Sequence, residues 1–240
     1  MTAPSQRDAG QLYGAAKMVL TPIFKFAFRV HPEGLEHVPD DGPAVLCPNH
    51  VSFLDSMFLP LVLPRRITYV GKAEYLDSWR TRYLLPALGM IPIDRSGGDS
   101  AKAALDAASR VLGRGELFGI YPEGTRSRDG RLHRGHTGAA RLALSNGAKL
   151  LPVGMVGTEL VQPADAKFPR PFMAVRVRIG KPLDLGRYRD REHDHLVLRQ
   201  ITDELMYEIR ELTGQEYVDT YATKRAEDIP SEPARLARSA

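Results

Sequence analysis

Short apolar runs alternate with amphipathic runs along most of the chain, and this alternation predicts its architecture. Apolar runs predict six strands, at residues 44–47, 67–70, 90–93, 117–121, 150–156 and 174–179. Apolar positions at helical spacing predict helices at residues 53–63, 78–88, 100–112, 137–145 and 196–212. Strands that alternate with helices are typical of an α/β fold with a mostly parallel sheet flanked by helices. The last strand alternates apolar and polar side chains, which indicates one exposed face or a place near a sheet edge.

The first 30 residues differ from the rest and predict an N-terminal amphipathic, membrane-associating helical segment. Apolar side chains recur along it at helical spacing: Leu12, Val19, Ile23, Phe26 and Val30. At about 100° per residue, three basic side chains share an arc of roughly 120°: Lys17, Lys25 and Arg29. A membrane-spanning helix needs about 20 predominantly apolar residues, and these charges interrupt the run. The pattern favours a helix, or a helix pair bent at Pro22, that contacts a membrane surface through residues 11–30. A helix packed on the protein's own core is the alternative.

The composition is that of an ordinary globular protein, with 43% apolar and 26% charged residues over 240 positions. We assign residues 31–222 to one α/β domain and residues 223–240, rich in charge, Ala, Pro and Ser, to a flexible C-terminal tail. The 33 basic and 29 acidic residues give a net charge of +4, which suits an anionic surface or a phosphorylated substrate. No aromatic residues interleave with the arginines, so we predict no nucleic-acid partner. The single cysteine, Cys47, excludes an internal disulfide and lies in an apolar run, which predicts a buried thiol.

The string NHVSFLD at residues 49–55 directly follows the first predicted strand and carries a histidine–aspartate pair. A histidine moves protons near neutral pH, and a carboxylate bonded to its ring fixes the tautomer and stabilises the imidazolium. Residues five apart differ by about 140° around a helix, so the pair can meet only if His50 precedes the first turn and Asp55 points back from it. Ser52 and Asp55 also fit a variant of the capping box, in which Asp55 would serve only the helix end.

A second string, YPEGTRS at residues 121–127, also follows an apolar run. Together with His50 and Asp55 it resembles the glycerolipid acyltransferases, the family that includes 1-acylglycerol-3-phosphate acyltransferase. The family's four sequence blocks occur here in order, at residues 49–55, 89–95, 121–127 and 151–154. The resemblance covers roughly residues 30 to 185, most of the predicted α/β domain.

This resemblance implies an O-acyltransferase of phospholipid biosynthesis. The enzyme would move an acyl chain from a thioester (acyl-CoA or acyl carrier protein) to the hydroxyl of 1-acylglycerol 3-phosphate, a lysophosphatidic acid, giving phosphatidic acid. His50 and Asp55 would be its catalytic residues, with His50 as the general base and Asp55 holding the imidazole. A thiol is a fair leaving group, so direct transfer is expected to need no cofactor beyond the thioester co-substrate. Residues 11–30 would hold the protein peripherally on the cytoplasmic side of the cell membrane.

The resemblance also implies a binding site for the acceptor's phosphate, formed by Arg95, Glu123, Gly124, Thr125 and Arg126. Guanidinium groups match phosphate oxygens in a bidentate fork, which lysine cannot copy. Gly124 would let the backbone approach the ligand closely, and Thr125 would add hydrogen-bond donors. Glu123 cannot favour a phosphate directly, so we expect it to orient an arginine or to bond the glycerol.

Two further features bear on the same cleft. Lys72 follows another predicted strand and is a candidate to line it. The basic run of Arg126, Arg128, Arg131 and Arg134 is either an edge that faces the membrane or CoA, or a solvated loop. His50, Arg95 and residues 123–126 each come just after a predicted strand, and ligand sites in open α/β sheets gather beyond the carboxyl ends of the strands.

Three alternatives to this function are open at the level of sequence. The acceptor can be glycerol 3-phosphate or another lysophospholipid, since the same clamp would serve. The chain can be a non-catalytic membrane-binding protein of the same fold. Histidine-containing strings at residues 133–136 and 193–195 superficially suggest a metal-dependent hydrolase, but neither supplies a recognised ligand set, and we predict no metal.

Overall fold

The structure is a computed structural model that describes residues 6–77, 81–93, 100–163, 166 and 168–222. Its α-helices are α1 (Gln6–Ala27), α2 (Asp55–Val62), α3 (Thr81–Ala87), α4 (Ser100–Leu112), α5 (Gly138–Ser145), α6 (Thr158–Val161) and α7 (His195–Thr213). Its strands are β1 (Arg29–Glu33), β2 (Ala44–Pro48), β3 (Ile67–Lys72), β4 (Met90–Ile93), β5 (Leu117–Gly119), β6 (Leu132–His133), β7 (Lys149–Val156), β8 (Ala174–Ile179) and β9 (Tyr217–Val218).

Seven of these strands form one sheet in the order β1-β8-β7-β2-β5-β3-β4. Every neighbouring pair is parallel except β7 and β8, which are antiparallel. Every residue of the central strand β2 is buried, as expected for a parallel strand that is covered on both faces. The predicted α/β fold with a mostly parallel sheet is therefore confirmed. Strands β6 and β9 form a separate, short parallel ladder.

Helices cover the two faces of the sheet and divide the core into two layers. Along β2, Leu46 packs with helices α1 and α2 on one face. The next residue, Cys47, packs with α4, α5 and α7 on the other face. This alternation follows from the two-residue period of a strand. It buries the Cys47 thiol completely, as predicted, and burial raises the pKa of that thiol above its ordinary value.

The six predicted strands are all present, with ends shifted by at most two residues. The strand pattern missed β1, an edge strand whose residues are mostly exposed and which contains Pro32. β8 has alternating burial and lies next to that edge, as its sequence indicates. The helix predicted at residues 78–88 is described from Thr81 on, because residues 78–80 lie outside the described part of the chain. The tail predicted at residues 223–240 lies outside it as well.

The N-terminal segment forms one helix, α1, with Pro22 inside it. The helix ends at Ala27, and Arg29 and Val30 instead pair with β8 in the sheet. One face of α1 packs on the core through a buried Tyr13 and the partly buried Leu20 and Phe24. Lys17 donates to the carbonyl of Leu63, so the three basic side chains do not form one solvent-facing stripe.

The other face of α1 is apolar and open to solvent, with four exposed side chains: Met18, Val19, Ile23 and Phe26. The core-packed helix that the sequence left as an alternative is therefore present, together with a second apolar face. In the part of the chain that the structure describes, no helix combines the length and apolarity that crossing a membrane requires.

Candidate active site

The two sequence strings meet at the carboxyl ends of neighbouring parallel strands. β2 ends at Pro48, two residues before His50, and β5 ends at Gly119, two residues before Tyr121. Residues 44–46 pair in parallel with residues 117–119, so the chain leaves both strands at the same edge of the sheet. A hydrogen bond of 2.7 Å from Ser127 N to the His50 carbonyl joins the two loops beyond that edge.

His50 and Asp55 form a hydrogen-bonded pair. His50 lies before α2, Asp55 is the first residue of that helix, and His50 Nδ1 lies 2.9 Å from Asp55 Oδ2. This confirms the geometric expectation that Asp55 points back from the first turn. A carboxylate only accepts hydrogen bonds, so Nδ1 carries the proton and Nε2 is left with its lone pair. Within the described residues, Nε2 has no hydrogen-bonding partner.

The capping role of Asp55 is present as well. Oδ2 accepts from Val51 N at 2.9 Å and from Ser52 N at 2.8 Å, and Ser52 Oγ accepts from Leu54 N. The carboxyl group is fully buried, and its other oxygen, Oδ1, has no hydrogen-bond partner in the described part of the chain. One carboxylate oxygen therefore holds both the turn before α2 and the imidazole.

Tyr121 fixes the imidazole from its other side. Its ring stacks on the His50 ring with centroids 3.8 Å apart and planes inclined by 17°. The Tyr121 hydroxyl lies 2.8 Å from Ser56 Oγ. Burial, and then the charge of Asp55, raise the pKa of Tyr121 well above its ordinary value, so the phenol stays neutral. The sequence indicated this residue only as the aromatic that precedes a proline.

Glu123 does not contact the cavity, which differs from the predicted role in substrate binding. Its Oε2 accepts from His50 N at 2.9 Å and its Oε1 accepts from His133 N at 3.1 Å. The residue is 1% exposed, and burial raises the pKa of its carboxyl to about 8 despite those two hydrogen bonds. Through these two backbone amides Glu123 positions the His50 loop, and it contacts no arginine among the described residues.

A cavity of about 830 Å³ opens where these loops meet, and four of the predicted site residues line it: His50, Gly124, Thr125 and Arg126. Gly124 has φ +72°, in the left-handed region, and a Cβ there would lie 3.1 Å from the His136 ring. Arg126 is half-buried and makes no hydrogen bond or ion pair with the described residues. The structure thus brings the imidazole and this guanidinium to one cavity.

Two predicted site residues fall where the structure gives no side-chain position. Arg95 lies outside the described residues. Lys72 is the last residue of β3, so its backbone ends at the same edge of the sheet, but its side chain lies outside the description. Their predicted roles stay predictions.

The lining residues that the sequence did not assign to the site include Arg128, His136, Arg141 and Tyr221. The basic run divides here, because Arg126 and Arg128 line the cavity whereas Arg131 and Arg134 pair with Glu216 and Asp219. The spacing of arginines in the sequence contains no signal for this division. It depends on where the C-terminal segment lies.

The cavity has a cationic part and an apolar part. Three arginines and two histidines line it, and none of its described lining residues is Asp or Glu. The remaining lining is mostly apolar and includes Phe53, Leu85, Met90, Ala104 and Leu105. This arrangement fits a ligand with an anionic group and a hydrocarbon chain.

The C-terminal segment braces the wall of the cavity. β9 pairs with β6, and Gln215 accepts from Asn49 Nδ2 at 2.8 Å, one residue before His50. His133 bonds to Asp129 at 3.0 Å and to the carbonyl of Thr220 at 3.3 Å. The Tyr221 ring then stacks on His136 with centroids 4.5 Å apart. Residues about 90 positions apart in sequence are therefore parts of one wall.

The histidine strings that suggested a metal site do not form one. In the described residues, no three His, Cys, Asp or Glu side chains converge as a metal ion would require. His133 is held by Asp129 and Thr220, and His193 is exposed with only Glu192 nearby, at 3.9 Å.

Comparison with known proteins matches the part of the chain that contains the four sequence blocks. The profile of the Acyltransferase family matches residues 29–156, more than half of the chain. The chloroplastic 1-acyl-sn-glycerol-3-phosphate acyltransferase LPAT1 of Arabidopsis thaliana is 32% identical over 162 residues, which are 67% of this chain and 45% of that protein. The human 1-acyl-sn-glycerol-3-phosphate acyltransferase alpha is 30% identical over 139 residues, 58% of this chain and 49% of the human protein. The chain spans about half the length of the curated relatives it matches.

A solved structure has the same fold. The crystal structure of the 1-acyl-sn-glycerophosphate (LPA) acyltransferase PlsC from Thermotoga maritima superposes with a TM-score of 0.63 at 22% identity. The match covers 88% of this chain and 84% of that one. At this identity the likeness establishes the fold.

Proposed function

Because the chain belongs to the acyltransferase family, we propose that it transfers an acyl chain from a thioester to the free hydroxyl of 1-acylglycerol 3-phosphate. The observation that carries the proposal is the shared cavity, which is lined by an oriented imidazole and by a guanidinium that has no ion pair among the described residues. Curated relatives named for this reaction support the choice of acceptor.

His50 is the general base of the proposed step. Its Nε2 takes the proton of the acceptor hydroxyl as that oxygen attacks the thioester carbonyl. The new C–O bond forms, the C–S bond breaks, and the thiolate leaves and collects a proton. Asp55 offsets the charge of the imidazolium across the 2.9 Å hydrogen bond, and Tyr121 keeps the ring in place. The step balances with the two substrates alone, so we propose no cofactor.

The cationic part of the cavity binds the phosphate of the acceptor. Arg126 has a guanidinium without a competing carboxylate among the described residues, and a phosphate would supply its first ion pair. Arg128 and Arg141 line the same cavity and add positive charge. Arg95 belongs to this proposal on the strength of its sequence block alone.

The apolar part of the cavity holds acyl chain. Leu85 and Met90 are buried and line the cavity near Phe53, between the sheet and α3. Alkyl groups gain about 0.8 kcal/mol per CH₂ when they leave water. The binding of an acyl chain in this part of the cavity is therefore the same whether the thioester is formed with CoA or with acyl carrier protein.

We also propose peripheral contact with a membrane through α1, since the lipid acceptor resides there. The exposed apolar face of α1 faces away from the core and has no packing partner in the described chain. An amphipathic helix of this kind lies in the interface plane.

A thiol-release assay tests the reaction. Purified protein is given acyl-CoA or acyl carrier protein donors of matched chain length, with 1-acylglycerol 3-phosphate, glycerol 3-phosphate or a lysophospholipid that lacks a terminal phosphate. We expect thiol release that depends on 1-acylglycerol 3-phosphate and is lost in His50→Ala. His193→Ala removes an exposed histidine that is not part of the cavity lining and should keep full activity. Release that His50→Ala leaves intact, or no release with any pair, would contradict the proposal.

A further inference from the structure

A five-residue loop with the sequence FPRPF, residues 168–172, lies entirely on the surface. Phe168 is 76% exposed and Phe172 is 62% exposed. Two prolines flank Arg170, which is also exposed. Aromatic side chains of a soluble protein are normally buried, so two exposed rings on one short loop require an explanation.

The loop is held in a defined shape. Arg170 N donates to the Val161 carbonyl at 2.7 Å, and Phe172 N donates to the Ala27 carbonyl at 2.6 Å. Phe172 has φ +63°, in the left-handed region, which costs a residue with a bulky side chain about 1–2 kcal/mol. The backbone therefore accepts strain at a position where it exposes an aromatic ring, and strain of this kind is found at functional sites.

The loop adjoins the exposed face of α1. The hydrogen bond from Phe172 ends at Ala27, the residue that follows the exposed Phe26. At about 100° per residue, Met18, Val19, Ile23 and Phe26 lie within an arc of about 140°, opposite the face that packs on the core. The loop thus meets α1 at the C-terminal end of the helix, next to the exposed Phe26.

The charged side chains in two stretches of these elements, residues 9–32 and residues 166–183, are of one sign. The chain contains no Asp or Glu in residues 9–32 or in residues 166–183. Lys25, Arg29 and Arg170 are exposed there. Aromatic rings beside basic side chains are the composition of protein segments that enter the headgroup region of anionic bilayers.

We infer that the 168–172 loop inserts its two phenylalanines into an anionic phospholipid surface, beside α1, as a second point of attachment. Arg170 pairs with lipid phosphates between them. The inference rests on the proposed membrane contact of α1 and extends it to an element 140 residues away in sequence. With two attachments, the orientation of the domain on the membrane is fixed, whereas one helix leaves it free to rotate.

Binding to vesicles of phosphatidylcholine and phosphatidylglycerol tests the inference without reference to catalysis. The double variant F168A/F172A should bind these vesicles at least about tenfold more weakly, because burying one aromatic ring is worth about one decade in affinity. A matched double variant, L196A/Y207A, removes exposed side chains from α7 on the opposite face of the sheet and should bind as the wild type does. Wild-type affinity in F168A/F172A would overturn the inference.

Two further variants separate lipid contact from a change in folding. Phe172→Gly relieves the left-handed strain, so its melting temperature should equal or exceed that of the wild type while its vesicle affinity falls. Phe168→Trp in a Trp79→Phe background carries a single tryptophan. Its emission should shift to the blue on vesicles and be quenched by brominated acyl chains. Unchanged emission would overturn lipid insertion, and a shift from dimer to monomer in F168A/F172A would assign the loop to a second copy of the chain.

Failure of the loop inference can be distinguished from failure of the proposed reaction. Thiol release from short-chain substrates in free solution does not require a membrane, so F168A/F172A should keep wild-type activity there. Loss of vesicle binding with that activity retained supports the inference. Absence of thiol release in the wild type would contradict the proposed reaction. Vesicle binding would then still test membrane insertion of the loop, independently of the reaction.

Discussion

Asp55→Asn separates the two roles that the structure gives to one carboxylate. The amide oxygen of asparagine can replace Oδ2 and still accept from Val51 N, Ser52 N and His50 Nδ1. The amide nitrogen replaces Oδ1, which has no partner among the described residues. The substitution therefore keeps the shape of the turn and removes the negative charge beside the imidazole.

The expected loss of rate follows from that charge. Unit charges about 4 Å apart interact by about 4 kcal/mol at an effective dielectric constant of about 20, as suits a partly buried pair. In the proposed step His50 gains its positive charge together with the substrate's proton, so this energy would be lost mainly in the transition state. At about 1.4 kcal/mol per decade, kcat should fall about 10³-fold. Three charge-assisted bonds become neutral, which should lower the free energy of unfolding by about 1–3 kcal/mol.

The assay is thiol release at saturating substrate, paired with urea unfolding of the same preparations. Asp129→Asn is the matched control, because Asp129 also bonds a histidine, His133, at 3.0 Å but lies outside the cavity lining. Burial acts against ionisation of Asp129, yet hydrogen bonds from His133, Arg131 and Ser127 hold its pKa below the ordinary value. The control should lose similar stability and keep activity within about tenfold of the wild type.

A variant with full kcat and reduced stability would refute the reasoning. Asp55 would then serve only the turn before α2, and the contact with His50 would be incidental. Equal losses of activity in Asp55→Asn and Asp129→Asn would be a second refutation, since both would then reflect general loosening of the loops.

Three further predictions concern neighbouring groups. Arg126→Lys should raise the acceptor KM about tenfold or more and leave the donor KM near wild type, because lysine cannot copy the bidentate fork. Steady-state kinetics checks this, with Arg131→Lys as the control because Arg131 pairs with Glu216. Equal effects on the KM values of both substrates would argue against a phosphate contact. Burial raises the pKa of the Glu123 carboxyl to about 8, from an ordinary value of 4.5. Between pH 4.5 and 8 the native state therefore binds more protons than the unfolded state. Relative to Glu123→Gln, the free energy of unfolding of the wild type should therefore fall by about 1 kcal/mol per pH unit as the pH rises through this range. Urea unfolding of both proteins at several pH values measures this. The same pH dependence in the two proteins would contradict the raised pKa. Tyr121→Phe keeps the ring stacked on His50, and its kcat should stay within about tenfold of the wild type. Tyr121→Leu removes the ring, and its kcat should fall about 10²-fold. Equal kcat values for the two variants would show that the stacked ring does not affect the rate.

The sequence predicted those parts of the fold that depend on local periodicity. Buried parallel strands such as β2 are continuous apolar runs, and His50 and Asp55 lie close enough in sequence for helix geometry to define how they can meet. The sequence did not predict β1, because an edge strand with one partly buried residue has no apolar pattern. α1 was predicted as amphipathic, but its two apolar faces can be told apart only when the core residues that cover one of them are known.

The remaining site residues depend on contacts between distant segments. Tyr221 reaches the cavity because β9 pairs with β6, and a two-residue ladder leaves no periodic signal. Glu123 sits in a recognisable block, yet its partners are backbone amides of His50 and His133, which the sequence cannot specify. Backbone donors are present at every position, so only the folded chain selects among them.

The ladder between β6 and β9 also sets when the pocket matures on the ribosome. Synthesis runs from the N-terminus at roughly 5–20 residues per second, so position 50 emerges well before residues 215–220. Until that late stretch leaves the exit tunnel, Asn49 lacks Gln215 and His133 lacks the carbonyl of Thr220. A nascent chain that already displays both motifs therefore holds an incomplete pocket until residues 215–220 have left the exit tunnel.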